Sequence, residues 1–99
     1  MSLRDIESIV QVLPTDDFKV YVYFANGQIK LYDMKPLIGS GVFRAISEIS
    51  EFKEKCTVIN GTLAWDLTGN RDEYTCLDID PVTIFENSIS VEDPLTAVG

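Results

Sequence analysis

The chain has 99 residues, is 45% hydrophobic, and carries sixteen acids against eight bases for a formal net charge of −8. That composition describes one globular domain rather than a disordered segment, and no apolar run approaches the ~18 residues needed to span a bilayer. There is no histidine, which removes Ser-His-Asp and Cys-His chemistry, and Cys56 and Cys76 lack the C-x-x-C spacing of a zinc site.

Ile6 to Leu13 predicts a first strand, with Ile6, Ser8, Val10 and Val12 on one face. Pro14-Thr15-Asp16-Asp17 is a turn cluster. FKVYVYFANGQIKLYD follows, two β-rich runs around Asn26-Gly27, the pair that best accepts the positive φ angles of a type I′ hairpin turn. A two-residue loop pairs Phe24 with Ile29, Val22 with Leu31 and Val20 with Asp33 on the core face. It places Tyr23 with Lys30 and Tyr21 with Tyr32 on the other. Met34 to Ile38 predicts a helical turn around Pro36, and Gly39-Ser40-Gly41 interrupts it, with Ser40 placed to cap a helix. In VFRAISEISEFK the residues Phe43, Ile46, Ile49 and Phe52 recur at threes, an apolar helical stripe.

CTVINGTLAWDL repeats the hairpin device at Asn60-Gly61. It pairs Val58 with Leu63 and Cys56 with Trp65 on one face, and Thr57 with Ala64 and Ile59 with Thr62 on the other. The polar stretch 68–76 reads as a loop. In DIDPVTIFE, Asp80 stands at an N-cap with Pro81 at the first helical position. Ile79 and Ile84 take the spacing of a hydrophobic staple, and Asp78 lies one step out, toward the helix dipole. The expected architecture is therefore α+β, a small antiparallel sheet in the order β-β-β-α-β-β-α with two short helices. It forms a single domain over 1–87, and 88–99 form a C-terminal tail, a short or disordered arm.

Charge is uneven along the chain. Residues 1–65 hold eight acids and seven bases, net −1, whereas 66–99 hold eight acids and Arg71 alone, net −7. Such a segment repels phosphate, so neither nucleic acid nor an anionic membrane is an expected partner by itself, and a basic protein surface is the electrostatic complement. A homodimer is a further expectation. The start MSLRDIESIV has no basic region followed by a long apolar stretch, so no secretion signal is expected, and the expected compartment is the cytoplasm with reduced thiols.

Three chemical patterns are weaker than their structural readings. Asp66, Thr68, Asn70 and Asp72 alternate like oxygen ligands, but Gly69 falls at the wrong place for a calcium loop and Leu77 stands where a bidentate Glu is required. Gly39-Ser40-Gly41 lacks the lysine of a phosphate loop. Asp78 and Asp80 could form an acid–base pair, but capping already accounts for Asp80. No catalytic, cofactor or metal residue is assigned. The tyrosine face, with Tyr21, Tyr23, Lys30 and Tyr32, is the candidate partner-binding surface, because tyrosine joins apolar area to a polar tip.

The order of FANGQIKLYDM, GVFRAI, EF, an Asn-Gly hairpin ending in Trp65, and DIDP before Phe85 resembles the small bacterial domain of unknown function 2442, over roughly residues 5–87. The loop between Trp65 and Asp78 is long for that family. Some members carry a helix-turn-helix after the domain, where only a dozen residues remain here. The resemblance implies a small α+β fold and no known activity. It also implies a setting beside another small domain, in pairs like those of toxin and antitoxin. The leading expectation is a non-catalytic protein-binding module, the acidic partner of such a pair. The alternatives are a carboxylate- or metal-dependent enzyme around Asp66, Asp72, Asp78 and Asp80, and a transcriptional regulator without its own helix-turn-helix.

Overall fold

The computed structural model describes residues 8–69 and 76–95. Among these residues, two antiparallel sheets, two short α-helices and a 3-10 helix make up an α+β fold. One sheet has four strands in the order β1-β2-β3-β7: β1 is Ile9–Pro14, β2 Lys19–Phe24, β3 Ile29–Asp33 and β7 Ile89–Ser90. The other has three in the order β4-β5-β6, with β4 Cys56–Ile59, β5 Thr62–Trp65 and β6 Leu77–Ile79. The 3-10 helix spans Gly41–Ile46, helix α1 Ile49–Lys55 and helix α2 Pro81–Asn87. The core faces of both sheets meet in one cluster. Ile9, Val20, Val22, Phe24, Tyr32 and Met34 come from the first three strands and β3's end, and Leu63, Trp65 and Ile79 from the other sheet. Ile46, Phe52 and Ile84 come from the helices.

The hairpin at Asn60-Gly61 has the expected register, Cys56↔Trp65 through Ile59↔Thr62. Asn60 (φ 53) and Gly61 (φ 72) both take the left-handed conformation that a type I′ turn demands. Gly61 has a second reason to lack a side chain. A Cβ there would lie 2.9 Å from Ser8 Cβ, where the chain enters β1, and Ile9 N–H donates to Gly61 C=O at 2.9 Å. This bond ties the start of one sheet to the turn of the other.

The hairpin at Asn26-Gly27 departs from expectation by one residue. The observed pairs are Tyr23↔Ile29, Val22↔Lys30, Tyr21↔Leu31 and Val20↔Tyr32, so Ala25-Asn26-Gly27 form a three-residue loop. Gly27 (φ 93) is left-handed and Asn26 is not, which is a type I turn followed by a G1 bulge. Asn26 Oδ1 accepts from Gln28 N–H at 2.9 Å and so stabilises this loop instead. Since side chains alternate with period two, the shift exchanges the faces of β3. Lys30 and Tyr32 turn to the core, and Ile29 and Leu31 turn outward.

The β1–β2 connection is a loop of the same kind. Thr15 N–H donates to Lys19 C=O at 2.8 Å, just as Phe24 N–H donates to Gln28 C=O at 2.9 Å. The third loop residue is again left-handed, but here it is Phe18 (φ 62), a conformation that is an outlier for a bulky side chain. Phe18 is held there by an edge-to-face contact with Phe52, centroids 5.1 Å apart, and by Met34 N–H on its carbonyl at 2.9 Å. The strand β1 also differs in phase. A bulge between Ile9 and Gln11 sends Ile9 into the core and leaves Val10 59% exposed, where Val10 and Val12 were expected to share one face with regular alternation. Ile6 lies outside the described residues.

The expected single helix over 42–53 is two elements. The recurrence of Phe43, Ile46, Ile49 and Phe52 at strict threes is the 3.0-residue period of a 3-10 helix, and the chain takes that form through Ile46 before α1 begins at Ile49. Ser40 occupies the N-cap of the 3-10 helix without a side-chain bond. The short strands β6 and β7 were not anticipated. The first has three residues and the second two, too few to show a period. Asp78 sits in the middle of β6 opposite Ala64, rather than at the helix dipole.

Helix α2 starts where expected, with Asp80 at the N-cap, Pro81 next, and Ile79 and Ile84 both in the core. The Asp80 side chain makes no capping bond. Asp80→Ala is therefore expected to change stability by less than about 0.5 kcal/mol, the range of an ordinary surface substitution, rather than the ~1 kcal/mol of a lost cap. A urea titration showing a loss near 1 kcal/mol would restore the cap.

Candidate functional site

The four residues expected to form one face divide between two. Tyr32 (7% exposed) and Lys30 (8%) lie on the core face beside Val20 and Val22. Lys30 Nζ donates to the Phe85 carbonyl at 2.7 Å and sits 4.1 Å from the centroid of the Phe85 ring, which packs edge-to-face on Phe24 at 5.5 Å. The Phe85 carbonyl belongs to the last turn of α2, whose carbonyls have no partner within the helix, and the ammonium supplies one. Lys30 thus anchors α2 to the sheet. Helix α2 packs on the core face through Ile84 and Phe85. Burial pushes the Tyr32 hydroxyl up, in keeping with an internal role.

Tyr21 and Tyr23 remain on the outer face, where the shifted register gives them new neighbours. Leu13 pairs with Tyr21, Tyr21 with Leu31, and Leu31 with Ile89. These residues form one apolar row across all four strands, on the side away from the core. At a strand spacing of ~4.8 Å the row runs roughly 14 Å. Leu13, Tyr21 and Leu31 are half-buried and Ile89 is 63% exposed. Sequence reasoning missed Leu13, Leu31 and Ile89. The first two carry no signal without the correct register, and Ile89 lies in a strand of two residues.

Beside the row, Tyr23 is sequestered by the segment after β7. Its hydroxyl donates to Asp93 Oδ1 at 2.7 Å, Val91 N–H donates to Ile29 C=O at 3.0 Å, and Leu95 N–H donates to Asp93 Oδ1 at 2.9 Å. Burial, followed by the Asp93 contact, pushes the Tyr23 hydroxyl up to about 12. Residues 89–95 thus form a strap along the β3 edge, within the stretch read from sequence as a short or disordered arm.

The alternative chemistries find no assembled site among the described residues. No three His, Cys, Asp or Glu side chains gather there. Asp78 and Asp80 are exposed, and Asp66 Oδ1 accepts from Gly69 N–H at 3.0 Å in a local turn. Asn70 and Asp72 lie outside the described residues. Burial pushes the Cys56 thiol up to about 12, so its nucleophilic thiolate is scarce at neutral pH. No described helix is long and apolar enough to cross a membrane.

Comparison with family models matches residues 9–90 to the family described as Protein of unknown function (DUF2442). No curated protein matches the chain, and no solved structure does.

Proposed function

The chain belongs to the DUF2442 family, and from that footing we propose that the domain is a non-catalytic protein-binding module that docks through the outer face of its four-stranded sheet. The observation that carries the reading is the row Leu13–Tyr21–Leu31–Ile89. Apolar and aromatic side chains that a core would normally absorb are aligned here on the far side of the sheet, flanked by Lys19 and Asp33. Contiguous apolar surface with a polar rim is how binding faces differ from scattered exposed residues. The proposed setting is the one the family resemblance suggests, a two-protein bacterial system of the toxin–antitoxin kind.

The test is co-purification from the native host with wild type and Ile89→Ser, a variant that removes an exposed side chain and leaves the core intact. A stoichiometric protein retained by wild type and lost by the variant is expected. Equal retention by both, or no stoichiometric protein with wild type, would overturn the reading.

A further inference from the structure

Resting on that docking reading, we infer that the occupant of the outer face is a basic polypeptide, with apolar side chains on the Leu13–Ile89 row and a lysine or arginine at the strap. Two depressions flank the row. One, of about 510 Å³, lies between the Asn26-Gly27 turn and the strap. Ile29 and Val91 contribute its apolar lining and Glu92 and Asp93 its carboxylates, with no base among its lining residues. The other, of about 230 Å³, lies against Leu31 and Ile89 and is bounded by Lys19, Asp33 and Asn87.

The first depression has the chemistry of a site for a long cationic side chain. The stem of a lysine or arginine packs on Ile29 and Val91 while its head reaches the exposed Glu92. Asp93 is held by the Tyr23 hydroxyl and the Leu95 N–H, so it is a fixed negative wall rather than a swinging one. The second depression takes an apolar side chain beside Leu31. Charge decides among occupants. A nucleic acid or an anionic lipid surface meets a chain of net −8, and a second copy brings another −8. A basic polypeptide is attracted by the same field.

The experiment titrates the full chain with an octapeptide alternating lysine and leucine, and separately with one alternating glutamate and leucine, followed by amide NMR shifts. The lysine peptide is expected to move the signals of Leu13, Tyr21, Leu31 and Ile89, to weaken several-fold from low to high salt, and to lose about 2- to 5-fold in affinity with Glu92→Gln. The glutamate peptide is expected to leave those signals in place. Equal binding of both peptides at this face, or indifference to salt and to Glu92→Gln, would overturn the basic occupant and leave the docking face standing. Shifts of the lysine peptide confined to other residues, or no binding, would also overturn it. The fate of the face itself is then read from the Ile89→Ser co-purification.

Discussion

Trp65→Ala is expected to lower stability by about 3–5 kcal/mol, a large fraction of what a domain of this size possesses. The indole is fully buried, and its ring lies 5.5 Å from that of Phe52 and 6.4 Å from that of Phe43. Its Nε1–H donates to the Phe52 carbonyl at 3.0 Å. That carbonyl lies at the middle of α1, Ile49–Lys55, and is the first of the helix's last four, which have no partner within the helix. The truncation thus opens a cavity, removes two aromatic contacts and takes a hydrogen bond from the helix end. Trp65→Phe separates these effects. It keeps most of the ring and loses the bond, so about 1 kcal/mol is expected. Urea midpoints at unchanged slope are the measurement, and a Phe variant as damaged as the Ala variant would show that the hydrogen bond matters more than packing.

Tyr32→Ala is expected to cost about 3 kcal/mol or more, and Tyr21→Ala no more than about 1 kcal/mol. With the two-residue turn these tyrosines would be cross-strand partners on one exposed face and would respond alike. With the observed register Tyr32 faces Val20 in the core while Tyr21 lies opposite Leu31 outside it. Val22→Ala, another truncation in the core, should resemble Tyr32→Ala in direction and rank. If Tyr21→Ala unfolds the domain as badly as Tyr32→Ala, then both faces of the sheet are core and no docking surface exists.

Much of the architecture was legible because local rules and tertiary packing agree. At Asn60-Gly61 the turn residues, the β-branched flanks and burial of Leu63 all select one register. The start of α2 was readable for a similar reason, since Pro81, Ile79 and Ile84 point to the same boundary. At Asn26-Gly27 the same dipeptide was ambiguous. Gly27 serves a two-residue turn or a G1 bulge, and the choice fell to a long-range contact, Lys30 with Phe85, fifty-five residues away. No local pattern shows a lysine reserved for a distant helix end. The candidate site inherited that error directly. Two of its four residues, Lys30 and Tyr32, moved inward with the register, and Leu31 moved outward. The strands β6 and β7 were hidden by their length, and the bulge at Val10 by the lack of any glycine to mark it.

Phe18 bears on the order in which the chain assembles. A left-handed phenylalanine is rare in an unfolded ensemble, whereas Asn-Gly visits turn conformations readily. The turns of the β2–β3 and β4–β5 hairpins therefore form on local propensity, with the register of β2–β3 fixed as Lys30 packs against α2. The β1–β2 loop waits for the Phe52 ring and the Met34 N–H to hold Phe18 in place. The transition state should contain the two Asn-Gly hairpins and lack β1. Gly27→Ala should then slow folding, while Val12→Ala, on β1, should chiefly speed unfolding. A Val12→Ala variant that slows folding in proportion to its lost stability would mean that β1 docks early despite its reluctant loop.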